Sequence, residues 1–204
     1  MGLKTSKEAG DCITLTGAGR QKKGDMETNF DVRSFDAAIP LEEYRKLLKN
    51  KLFIVLDNLR SAFNVGAIFR TCDALRVSGL YLCGCTAFPP HVKLEKTSLG
   101  TIGYVPWKYF DSALEAVKFL RAGKIPVWAA ETTSRSVPFY KVLYPPALGL
   151  VFGNEALGVS REVLEECDEI IEIPLHGFKN SLNVATSVGI IGFRAVEGMT
   201  KLKP

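Results

Sequence analysis

Hydrophobic positions along this chain follow two alternating rhythms. Residues 1 to about 35 mix Gly, Thr, Lys and Asp with no sustained period, and order begins at LEEYRKLLKN (41–50), where Leu41, Tyr44, Leu47 and Leu48 recur at helical spacing. LFIVLD (52–57) is a short apolar run of strand length. SAFNVGAIFRTCDAL (61–75) returns to the helical period, with Val65, Ile68, Phe69, Cys72 and Leu75 on one stripe. GLYLCG (79–84), IPVWAAE (125–131), LGLVFG (148–153) and EIIEIP (169–174) are further strands. Between them SALEAVKFLRAG (112–123) predicts a helix closed by glycine, and SREVLEEC (160–167) a short helix with Ser160 as N-cap. The last helix runs from about Ser181 to Val196. Strands separated by helices define an α/β fold: a mostly parallel sheet with helices on both faces. With 204 residues, the chain suits one domain over 41–204 behind a flexible tail at 1–40.

Ligands of such sheets sit beyond the carboxyl ends of the strands, which directs attention to three loops. They are DNLRSAFNVGAIFR (57–70), GNEALG (153–158) and IPLHGFKNSLN (173–183). Gly153 and Gly158 have the glycine spacing of a phosphate-binding loop, but Val159 stands where its lysine belongs and Glu155 adds negative charge within it. No G-x-G-x-x-G follows any strand. A triphosphate and a dinucleotide are therefore disfavoured. A glycine that lets backbone approach a ligand, with amides and carbonyls free to read an adenine edge, suits a nucleoside-like cofactor without phosphates. S-adenosylmethionine meets that description, and its positive sulfonium tolerates a nearby carboxylate.

Composition changes this picture little. Hydrophobic residues at 47% and charged residues at 24% are ordinary for a globular protein. No apolar stretch approaches the roughly 20 residues that cross a bilayer. The net charge of +4 permits a polyanionic partner. Residues 1–40 carry six basic and six acidic side chains, so the excess lies in the folded body, although RQKK (20–23) is placed to touch a phosphate. Five scattered cysteines, Cys12, Cys72, Cys83, Cys85 and Cys167, fit a reducing, cytoplasmic setting better than a disulfide framework. Cys83, Cys85 and His91 lack the second cysteine pair that a structural zinc site needs, so no metal is expected.

The segments NVGAIFR, VFGNEALGVS and IPLHGFKNSLNVATSVGIIGF, in this order and spacing, resemble motifs 1, 2 and 3 of the SpoU/TrmH branch of the SPOUT RNA methyltransferases. The resemblance covers about residues 51–198. It implies transfer of a methyl group from S-adenosylmethionine to a ribose 2′-hydroxyl of tRNA or rRNA, and a deep C-terminal trefoil knot around the cofactor, which general topology rules would not have suggested. It maps the catalytic positions onto Asn64, Arg70, Glu155, Ser181 and Asn183. Cofactor contacts fall on Gly153, Ile173 and Leu182, with Thr132 or Thr133 after the strand IPVWAAE. It further implies a homodimer involving the last helix, whose Ala185, Gly189, Gly192 and Ala195 permit a close approach, either internally or to a second subunit. The rival from another class is a non-catalytic RNA-binding module that keeps the fold.

Each of these residues also has a plain structural reading. Asn64 suits the N-cap of its helix, Arg70 an i,i+3 pair with Asp73, Glu155 a cap for the helix downstream, and Ser181 the N-cap of the last helix. His176 is close to the loop's centre but outside the motif's catalytic positions. Because a guanidinium does not readily give up its proton in a protein, Arg70 is assigned first to binding phosphate and stabilising negative charge, with the general-base role often proposed in the family as the alternative.

Overall fold

The computed structural model describes residues 39–201, which belong to one compact unit beginning at Ile39. The tail, Cys12 and the RQKK cluster lie outside the described residues. A short helix α1 (Leu41–Lys46) leads into β1 (Asn50–Asp57), α2 (Ala62–Ala74) and β2 (Val77–Cys83). Then come α3 (Val92–Ser98), a single 3-10 turn (Thr101–Gly103), β3 (Trp107–Phe110), α4 (Ala113–Ala122), β4 (Val127–Ala130) and the two-residue β5 (Val137–Pro138). The described residues continue through β6 (Leu148–Phe152), α5 (Arg161–Glu166), β7 (Glu169–Glu172) and α6 (Val184–Lys201).

All seven strands are parallel, in the order β3-β2-β1-β6-β4-β7-β5. Their side chains alternate between two covered faces, as the pleat requires. Leu52, Ile54 and Leu56 of β1, with Leu80, Leu82, Leu148 and Leu150, pack with α2 and α6. Val55, Tyr81, Cys83, Ala129 and Val151 face α4 and α5. Burial on both sides explains why these strands read as continuous apolar runs. The stripe Val65, Ile68, Phe69, Cys72 and Leu75 is buried throughout.

One boundary differs from the sequence reading, while two caps fall where it placed them but work through other bonds. The last helix starts at Val184 rather than near Ser181. Asn183 Oδ1 accepts from the amides of Ala185 (2.9 Å) and Thr186 (3.3 Å), so Asn183 is the cap and Ser181 lies two residues outside. Ser160 occupies the N-cap position of α5, but its hydroxyl makes no capping bond; it donates to Asp57 Oδ2 at 3.0 Å. At the end of α4 the left-handed residue is Lys124 (φ 58) and not Gly123. The amides of Lys124 and Ile125 return to the carbonyls of Arg121 and Leu120, the paired bonds of a Schellman ending. The elements missed outright, α3, β3 and β5, are short. β3 is an edge strand whose first residues are exposed, and β5 contains a proline.

The small residues of α6 divide. Ala195 is fully buried, and a Cβ at Gly192 would press on Leu75, so these two seat the helix on its own domain. Gly189 faces open space, beside exposed Ile190 and Phe193. Cys83 lies in the core, where burial raises its thiol pKa, while Cys85 is exposed.

Candidate active site

From β1 the chain builds β2 and β3 on one side; β4, β5 and β7 form on the other, with β6 filling the place next to β1. A sheet whose strand order reverses leaves a crevice at the carboxyl ends there. A cleft of about 710 Å³ lies next to that place, over the carboxyl ends of β6, β4 and β7, within the size range of small-molecule sites. It is lined from the ends of β4 (Ala130, Glu131, Thr132), β6 (Phe152 to Gly158) and β7 (Ile171 to Ile173), and from the entry to α6.

The loop after β6 is braced from every side. Asn154 and Gly158 exchange backbone hydrogen bonds (3.0 and 2.8 Å), and Asn154 Oδ1 accepts from the amides of Ala156 and Leu157. Asn154 Nδ2 donates to the carbonyl of Asn58 (2.6 Å), tying the loop to the end of β1. Glu131 accepts from the amide of Val159 (2.9 Å), and the 2% exposed Asp57 accepts from both the amide and the hydroxyl of Ser160 (3.0 Å each). Buried carboxylates survive when such donors replace water. Gly153 has a specific reason to be glycine: a Cβ there would collide with the backbone of Gly158 and Val159. The close approach it permits is to its own loop, and the same glycine also lines the cleft.

Three motif residues form a chain of hydrogen bonds across the mouth of this cleft. Glu155 Oε2 accepts from the amide of Arg60 (2.9 Å), and its Oε1 accepts from the amide of Ser61 (3.2 Å) and from Asn64 Nδ2 (2.9 Å). Asn64 Oδ1 accepts in turn from Asn183 Nδ2 at 3.1 Å. Loops separated by about a hundred residues in sequence are thus joined. Asn64 is not the cap of α2; Ser61 is, its hydroxyl accepting from the Asn64 amide at 3.2 Å. Glu155 does serve a helix start, but that of α2, upstream in sequence, rather than the downstream α5.

Partial burial pushes the Glu155 carboxyl pKa up, yet the hydrogen bonds from Arg60, Asn64 and Ser61 outweigh it and hold the group below its ordinary value of 4.5. An acid titrating lower in the folded chain stabilises that chain fully above its unfolded value, and the contribution disappears as pH falls through the folded value. Glu155→Gln is therefore expected to be less stable than wild type at pH 7. The gap between their unfolding midpoints should close below about pH 4. A gap of constant size from pH 7 to 3, measured by thermal melts, would contradict the assignment.

Of the remaining sequence candidates, Gly153, Ile173, Ser181, Leu182 and Thr132 line the cleft. Thr133 does not; its amide and carbonyl bond Ser136 instead. Arg70 is exposed on α2, outside the cleft, and makes no side-chain hydrogen bond or ion pair among the described residues. Its expected partner Asp73 accepts from the Tyr44 hydroxyl at 2.6 Å. His176 is exposed and also outside the lining. The bracing carboxylates Asp57 and Glu131 went unassigned in the sequence; the signal was an acid closing each apolar strand run. Among the described residues no group of three His, Cys, Asp or Glu side chains is placed to hold a metal ion.

Residues 51–193 match the SpoU rRNA Methylase family. The chain belongs to that family. Similar proteins include a tRNA (guanosine(18)-2′-O)-methyltransferase of Thermus thermophilus, 32% identical over 76% of this chain and 79% of its own length. The crystal structure of the Aquifex aeolicus TrmH/SpoU tRNA modifying enzyme superposes with a TM-score of 0.71 at 30% identity, covering 79% of this chain and 83% of that one. An AdoMet-bound rRNA methyltransferase from Sinorhizobium meliloti gives 0.68 at 27% identity, over 79% and 61%.

Proposed function

We propose that this protein transfers the methyl group of S-adenosylmethionine to a ribose 2′-hydroxyl of tRNA or rRNA. The observation that carries the reading is the Glu155–Asn64–Asn183 chain, which locks the three motif loops together at the mouth of the cleft. The fit to the cofactor rests on the lining. Leu157, Ile173 and Leu182 offer apolar surface for an adenine, backbone groups of the 153–158 loop offer its polar edge partners, and Glu131, Glu155 and Glu172 against one lysine, Lys179, favour a cationic ligand. When bound, the sulfonium supplies an activated methyl group for in-line displacement.

The chain's own task is then orientation, which can supply much of the acceleration in such a displacement. Glu155 already accepts three hydrogen bonds and has a lowered pKa, so it positions Asn64 and the start of α2 rather than collecting a proton. Asn183 passes that position to the entry of α6. Ser181, exposed at the cleft and without a hydrogen-bond partner among the described residues, is free to hold the incoming hydroxyl or the cofactor. Arg70 binds the target phosphate and stabilises charge on the ribose oxygen. Standing outside its own cleft, it reaches the reacting sugar through the RNA or from a second subunit.

That second subunit is part of the proposal. Ile190 and Phe193, 37% and 57% exposed, with unobstructed Gly189 between the turns, give α6 an apolar outer stripe suited to homodimerisation. The family resemblance that implies this activity also implies the trefoil knot, and the packing of α6 on α2 and β1 is compatible with it. Cytoplasmic action accords with the free cysteines.

Purified protein incubated with methyl-labelled S-adenosylmethionine and total RNA is expected to yield 2′-O-methylnucleosides on nuclease digestion and mass spectrometry. Base-methylated products would overturn the ribose assignment. RNA binding without any cofactor-dependent methylation would leave the non-catalytic module.

A further inference from the structure

Phe178 is 98% exposed at the tip of the loop between β7 and α6. A lone exposed phenylalanine is unremarkable on a protein surface, but three features set this one apart. Its neighbours Leu175, Lys179 and Asn180 line the cleft, so the ring stands at the rim. The Lys179 ammonium lies 5.7 Å from the ring centroid, joining a cation to an aromatic face. Residues 174–182 make no hydrogen bond among the described residues, leaving the tip able to adjust to a ligand while Asn183 anchors its far end.

Charge points to the occupant. Between Glu172 and Glu197 the sequence contains no carboxylate, whereas the cleft lining contains Glu131, Glu155 and Glu172. A phosphate chain approaching the cleft is repelled by these carboxylates and attracted by Lys179 at this rim. An aromatic ring beside a lysine is the combination that holds unpaired nucleotides, because every base has a face to stack and every linkage a charge.

We propose that Phe178 is a stacking residue for an unpaired nucleobase of the substrate RNA, with Lys179 holding the adjoining phosphate, so that the ribose is presented at the cleft mouth. The inference rests on the methyltransferase reading and adds the residue that captures the nucleotide. It makes Phe178 a positioning residue for RNA and not part of the cofactor pocket.

The test uses the full chain and an unstructured oligoribonucleotide carrying 2-aminopurine, whose fluorescence falls on stacking. Wild type and Phe178→Trp are expected to bind and quench it. Phe178→Ala and Phe178→Leu should bind about tenfold more weakly and lose the quenching. All four should keep the same S-adenosylmethionine affinity by calorimetry and the same oligomeric state by sedimentation. Retained affinity and quenching in Phe178→Ala, or no oligonucleotide binding by wild type, overturns the proposal. Lost cofactor affinity in Phe178→Ala would make the ring a lid, and a changed sedimentation coefficient would make it a subunit contact; each also overturns it. Failure of wild type to bind S-adenosylmethionine is a separate result that defeats the methyltransferase reading itself.

Discussion

Arg70→Ala is expected to leave S-adenosylmethionine affinity within about twofold of wild type while lowering methyl transfer by roughly a hundredfold or more. The first half follows from placement. Arg70 is absent from the cleft lining and lies six residues beyond Asn64 on α2, about 9 Å along the helix axis. The second half follows from its freedom. Tyr44 has taken Asp73, so the guanidinium keeps its donors for an incoming phosphate or a developing oxyanion. Arg70→Lys retains the charge but not the planar fork, and is expected to recover only part of the loss. Single-turnover rates with saturating RNA separate the possibilities. Unchanged rates in Arg70→Ala would remove this residue from the mechanism, and a defect confined to RNA affinity would reduce it to a phosphate contact.

The layers of the fold were legible because burial on both sheet faces writes itself as uninterrupted apolar runs, seen in LFIVLD and LGLVFG. The helical stripe of α2 was equally plain. What escaped was decided by contacts between distant segments. Ser61, Asn64 and Glu155 are each respectable caps in isolation, and local rules could not assign which one caps what. The bonds that give Glu155 to α2 join residues 91 to 95 apart, whereas Ser61 caps the same helix through a bond spanning three residues. The order of the strands likewise depends on β6 inserting between β1 and β4, a choice that no local period records. Arg70 is another such case: the pairing with Asp73 inferred from helical spacing was displaced by a tyrosine 29 residues from Asp73.

Gly153→Ala is expected to cost about 1–3 kcal/mol of stability, the range for forcing extra volume into a packed site. The same variant should weaken S-adenosylmethionine binding by at least about tenfold, equivalent to about 1.4 kcal/mol. The two losses share one origin. The added methyl collides with the backbone of Gly158 and Val159, so the loop must open, and opening strains the paired bonds between Asn154 and Gly158. It also draws Val159 from the Glu131 carboxylate and Ser160 from Asp57, which fix the loop to the ends of β4 and β1. Side-chain relief is unavailable because the obstructing atoms are main chain. Gly177→Ala is the matched control: its site is within the neighbouring motif loop, a Cβ meets nothing within 4 Å, and neither stability nor cofactor affinity should change appreciably. Equal behaviour of the two variants in thermal melts and calorimetry would mean that the 153–159 loop yields easily, and that the braced cradle is not what holds the cofactor.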